Sequence, residues 1–102
     1  MAQQTFGSII KTVAATGTPE ALGTSATRFH SVAFQGLKAA RTDNTGTVWI
    51  QPSSGDGTAA MKLEPGDVVG FTADAADDYF TADQFYIDVE TAADGVVALY
   101  DK

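Results

Sequence analysis

A chain of 102 residues is the size of one domain and can bury enough surface to fold without covalent staples. The absence of cysteine excludes a disulfide framework, a thiolate metal site and a thiol nucleophile. Six Lys and Arg against thirteen Asp and Glu give a formal net charge of −7, and the six cations are scattered singly, so neither nucleic acid nor an anionic membrane surface is an expected partner.

The N-terminal residues lack the basic start and apolar run of a signal peptide, and no apolar stretch approaches the ~20 residues of a membrane span. The expectation is a soluble protein made in a cytoplasm. Thr, Val and Phe recur in short runs separated by clusters of Gly, Asp and Thr, which is a strand pattern. Residues 19–22 and 73–82 are the best helical candidates, and each allows a turn or two at most.

The first run, residues 6–14, alternates Ile9, Lys11 and Val13 on one face with Phe6, Ser8, Ile10 and Thr12 on the other. Residues 1–12 read either as an N-terminal arm or as the first strand, ahead of a β-sandwich domain over 13–102. As an arm, Phe6 and Ile10 would offer an apolar edge to a neighbour, with strand addition supplying backbone bonds. The next run, 28–37, puts Val32 and Phe34 on one face and Phe29, Ala33 and Leu37 on the other, as in a central or bulged strand.

Residues 41–46 form a turn in which Asn44 and Gly46 suit positive φ. In the strand 47–51, Val48 and Ile50 are expected inside, with Thr47, Trp49 and Gln51 outside. Residues 52–57 are the most loop-like part of the chain, and Gly55-Asp56-Gly57 reads as a hairpin loop. A strand over 58–63 precedes Glu64-Pro65-Gly66-Asp67, whose Pro and Gly fit the central positions of a type II turn. Residues 68–73 follow, with Val69 and Phe71 on one side. The cleanest alternation is 84–90, with Phe85, Ile87 and Val89 in and Gln84, Tyr86, Asp88 and Glu90 out. Asp94-Gly95 is a hairpin signal that returns the chain as a final strand over 96–100. Seven to eight short strands at this spacing predict an all-β, antiparallel two-sheet sandwich of jelly-roll or immunoglobulin-like kind, with a closed barrel as the alternative.

Catalytic patterns are missing. His30 is the lone histidine, and no serine lies in a nucleophile elbow, so His30 reads as structural or surface-exposed. Asp74, Asp77, Asp78 and Asp83 crowd one segment, but their spacing is not that of an EF-hand loop and its bidentate glutamate is absent. They read as a solvated acidic loop, with calcium binding left open. Neither G-x-x-x-x-G-K nor G-x-G-x-x-G occurs. No catalytic residue, metal site or cofactor is therefore expected. Trp49, Tyr79, Phe80 and Tyr86 are hard to place in a core. With Phe6 and Ile10 they are the candidate partner-binding residues, since aromatics enrich both sugar platforms and subunit interfaces.

Several pieces in order carry a likeness: Gly17-Thr18 with Ala21-Leu22; Ser31-Val32-Ala33-Phe34; Asn44-Thr45-Gly46-Thr47-Val48-Trp49-Ile50; Leu63-Glu64-Pro65-Gly66-Asp67; and Phe85-Tyr86-Ile87-Asp88-Val89 with Gly95-Val96-Val97-Ala98-Leu99-Tyr100. Across residues 17–101 the chain resembles small virion structural proteins of tailed bacteriophages. The resemblance implies a non-enzymatic β-sandwich of the virion that decorates or cements the head, or sits in the tail or baseplate. It further implies contacts with the major capsid protein or other virion proteins, and a homo-oligomer, often a trimer. The alternative from the residues is a carbohydrate-binding, receptor-facing module with Trp49 or Tyr86 lining a groove.

Overall fold

The computed structural model describes residues 5–39, 41–52 and 60–101. Among them the polar–apolar alternation resolves into twelve strands and one 3-10 turn, Ala82–Gln84, with no α-helix. Four strands, β1 (Phe6–Thr12), β12 (Gly95–Asp101), β4 (Ser31–Gln35) and β9 (Val68–Thr72), pair antiparallel in that spatial order as sheet I. Sheet II holds β2 (Glu20–Ala21), β11 (Tyr86–Val89), β7 (Val48–Gln51) and β8 (Met61–Leu63) in that order.

Numbered one to eight along the chain, these strands read 1-8-3-6 in sheet I and 2-7-4-5 in sheet II. Every connection between them crosses from one sheet to the other, except that from β7 to β8. This is the order of a jelly roll rather than of an immunoglobulin sandwich. The remaining pairs are short: β3 (Arg28–Phe29) with β10 (Phe80–Thr81), and β5 (Leu37–Ala39) with β6 (Thr42–Asp43). They raise the strand count above the seven to eight expected, because His30 and Gly36 break the run 28–37 into three pieces.

The inner faces form one core, with Val32, Phe34, Val96 and Ala98 from sheet I meeting Val48, Ile50, Ile87 and Val89 from sheet II. Phe85 centres an aromatic cluster, its ring 5.2 to 5.9 Å from those of Phe29, Phe34, Phe71 and Phe80. Burying each such side chain is worth about 1.5–3 kcal/mol. Phe29 was expected opposite Val32 and Phe34, yet it is buried with them. The bend at His30 shifts the alternation by one residue, so Phe29 and Val32 both reach the core. Gln51, expected outside, is also buried, at the end of β7 and opposite Tyr86. Thr47 is likewise buried at the other end, where its hydroxyl donates to Glu64 at 3.1 Å.

On the β1/β2 side of the sandwich the Lys11 Nζ lies 2.9 Å from Glu20 Oε1. The hydrogen bond from Lys11, and then that from the Ala14 N–H, hold the Glu20 carboxyl below the usual carboxylate range. Glu64-Pro65-Gly66-Asp67 forms the expected turn, with Gly66 at φ 84° and the Asp67 N–H donating to the Glu64 carbonyl at 2.9 Å.

Two other turns differ from expectation. Positive φ in the 41–46 turn belongs to Arg41, at 68°, and not to Asn44 or Gly46. Asp94-Gly95 is no hairpin, because β11 pairs with β7 and β2 while β12 pairs with β1 and β4. That dipeptide carries the chain from sheet II to sheet I. The Ala-rich candidates at 19–22 and 73–82 contain β2 and a turn-rich connection to β10. Residues 53–59, with the Gly55-Asp56-Gly57 loop and the start of the expected strand 58–63, lie outside the described residues. Residues 1–4 of the arm do also, while residues 6–12 pair with β12 along their whole length.

Candidate protein-binding surface

Register decides which side chains share the outer side of sheet I. Ile10 pairs with Val97, Val97 with Gln35 and Gln35 with Val68, giving one cross-strand row. Ser8, Leu99, Ala33 and Gly70 form the next, and Phe6 and Asp101 lie beyond it with Ser31 and Thr72. The opposite alternation supplies the core, so these residues face away from it. Phe6 is 75% exposed, Val68 63%, Leu99 54% and Ile10 53%. Between the rows runs a trough of about 440 Å³ lined by Phe6, Ala33, Gly70 and Leu99 among others.

The sole charge on these rows is Asp101, and its carboxylate is already engaged. Oδ1 accepts the His30 and Ser31 N–H groups, each at 2.8 Å. The outer side of sheet II is different in kind. There Trp49 stands in a row between Asp88 and Lys62, with Tyr86 beside them, and Trp49 and Tyr86 are half-buried. Soluble monomers keep contiguous exposed apolar patches small, and a larger one marks an interaction site. Sheet I carries Phe6, Ile10, Val68 and Leu99, four of the exposed large apolar side chains, on one side.

The six candidate residues thus fall in separate places. Phe6 and Ile10 share the outer side of sheet I, while Trp49 and Tyr86 lie on the opposite side of the sandwich. Tyr79 is exposed at one end, with the Arg28 guanidinium 4.7 Å from its ring centroid. Phe80 is half-buried in β10 and packs on Phe29 and Phe85. Leu99 and Val68 complete the Phe6–Ile10 surface and were not singled out in the sequence. The available signal was β9 itself, which is apolar on both faces around Gly70.

His30 places Nδ1 3.1 Å from the Asp78 carbonyl, at the same end as Tyr79. In the acidic segment, the Asp78 carboxylate accepts the Ala75 N–H at 3.3 Å and Asp83 bonds to the Thr81 hydroxyl. Among the described residues, no three His, Asp or Glu side chains converge to hold a metal ion. Comparison with protein-family models, curated proteins and solved structures finds no match to this chain.

Proposed function

We propose that this chain is a non-enzymatic virion structural protein of the tailed-bacteriophage kind, a head-decoration or cement protein that attaches to capsid protein through the outer side of sheet I. The observation supporting this reading is the uncharged, largely aliphatic surface of Phe6, Ile10, Val68, Val97 and Leu99 on a chain that carries a net charge of −7. The jelly-roll order serves capsid and lectin domains alike, so fold alone favours neither. Surface chemistry separates them. Sugars call for aromatic platforms fringed by polar groups, whereas an aliphatic sheet suits another protein's apolar surface at about 25 cal/mol per Å² buried. A cement protein repeats one modest contact many times on a lattice, and linkage between copies supplies the remaining avidity.

The test is binding of the purified chain to undecorated heads of the phage that encodes it. Wild type is expected to saturate a fixed number of sites, and Leu99→Glu to weaken binding by about 100-fold, as loss of a central interface anchor does. Lys62→Glu, on the outer side of sheet II, should bind like wild type. Unchanged binding by Leu99→Glu would defeat the proposal. Retention on immobilised glycans that is lost with Trp49→Ala would move the reading to the carbohydrate module.

A further inference from the structure

Among the described residues β1 is an edge strand, paired only with β12. Native edges are normally blunted by short length, proline, a bulge, a covering segment or a charge, inward-pointing charges included. Of these β1 has the inward charge of Lys11, 2.9 Å from Glu20; otherwise it runs seven residues in unbroken register with β12, without proline or an outward charge. The edges of sheet II are only two and three residues long, and Lys62 sits at the centre of the longer. The far edge of sheet I, β9, has five residues with Gly70 in the middle. β1 is the longest open edge among the described residues.

The direction of its backbone hydrogen-bonding groups can be assigned. Val13 donates to the Asp94 carbonyl and accepts from the Ala93 N–H, both at 2.9 Å, on the β12 side. Alternation then turns the N–H and C=O groups of Phe6, Ser8, Ile10 and Thr12 to the open edge.

We propose that a second copy of this chain occupies that edge, its β1 antiparallel to the first about a two-fold axis at Ile9. This rests on the reading of sheet I as an assembly surface and names its first partner. The register pairs Ser8 with Ile10 and Phe6 with Thr12 of the second copy, so the outward-directed backbone groups meet one another. Phe6 becomes the diagonal neighbour of Ile10 across the seam, at the ~7–8 Å spacing over which aromatic side chains still touch. Lys11 lies opposite Gly7, so no like charges face each other.

Charge favours a copy of the chain at this place over its other sides. Two molecules of net charge −7 repel, but the carboxylates beside β1 and its rows are Asp101, held by two backbone N–H groups, and Glu20, paired with Lys11. The product is an eight-stranded sheet whose apolar outer side is twice as wide, which offers a lattice two linked contacts in place of one. A two-fold pair is a different assembly from the trimer that the phage resemblance implies. The seam is about 24 Å long, small beside a standard interface of ~1,600 Å², so the pair is expected to dissociate on dilution.

The test is amide exchange and sedimentation equilibrium on the full chain, from about 1 µM to about 500 µM, a range that spans a weak association. Weight-average mass should rise toward twice that of the chain, and the Ser8 and Ile10 amides should exchange about 10-fold more slowly at the top of the range. Ser8→Pro removes an outward N–H and no internal bond, and should leave a folded monomer. Ser8→Lys sets two like charges diagonally across the axis and should do the same. Leu99→Glu should dimerise normally, so this proposal and the head-binding proposal fail separately. A monomer throughout the range would overturn the proposal, as would a dimer that survives both Ser8 variants. A rise in mass with unchanged Ser8 and Ile10 exchange would overturn it too, by placing the contact elsewhere.

Discussion

Asp94→Ala is expected to destabilise the domain by roughly 3 kcal/mol, lowering Tm by about 12–24 °C. Asp94 is only 1% exposed, and its carboxylate accepts the Thr45 N–H at 3.0 and 3.1 Å and the Gly46 N–H at 2.8 Å. Removing it takes the acceptor from the buried Gly46 N–H and from the part-buried Thr45 N–H. Beside it the Asn44 carboxamide grips Gly95 in both directions, donating to the carbonyl at 2.8 Å and accepting the N–H at 3.0 Å. Together they fasten the 41–46 turn to the crossing between the sheets. Because both side chains act on one junction, Asn44→Ala and Asp94→Ala should be less than additive in a double-mutant cycle. Thermal melts of the four proteins measure this. A shift of only a degree or two for Asp94→Ala would show that water replaces the carboxylate and that the junction contributes little.

Gly95→Ala should cost about 3 kcal/mol, at the upper end of overpacking, because the obstruction is backbone and cannot rotate away. A Cβ at Gly95 would strike the Lys11 carbonyl and lie 2.7 Å from Thr12 Cα, so β1 would have to part from β12 there. Gly70→Ala is the internal control. Its Cβ would find only the Val32 carbonyl at 3.7 Å, an ordinary contact, and should change stability by about half a kcal/mol or less. Denaturant melts of the two variants check the contrast. Equal stability would mean that β1 and β12 are not in close register at that point.

These two sites show where sequence reading stops. Alternation is local, so the two faces of β1 and the core residues Val48 and Ile50 of β7 and Ile87 and Val89 of β11 were legible, as was the Glu64–Asp67 turn with its glycine at positive φ. Asp94-Gly95 carries the same residue types as a hairpin, yet its chemistry is long-range. The aspartate caps backbone groups some fifty residues earlier, and the glycine is needed because β1 passes over it. No local pattern separates these uses. The partner-binding candidates divided for the same reason. Phe6 and Ile10 stood out as the apolar edge of an N-terminal arm, but their neighbours Leu99 and Val68 are joined to them only by pairing register. Trp49 and Tyr86 are outward too, on the other sheet.

Since the chain has no cysteine, one introduced thiol reports one position without interference. The decisive measurement is the maleimide reaction rate of Leu99→Cys and Lys62→Cys, each free and bound to the undecorated phage head. Lys62 has 64% of its side chain exposed on the outer side of sheet II, and Leu99 is 54% exposed on that of sheet I. Attachment through sheet I predicts that binding shields the thiol at 99 and leaves the thiol at 62 as reactive as in the free chain. Shielding at 62 with an unchanged rate at 99 would contradict it.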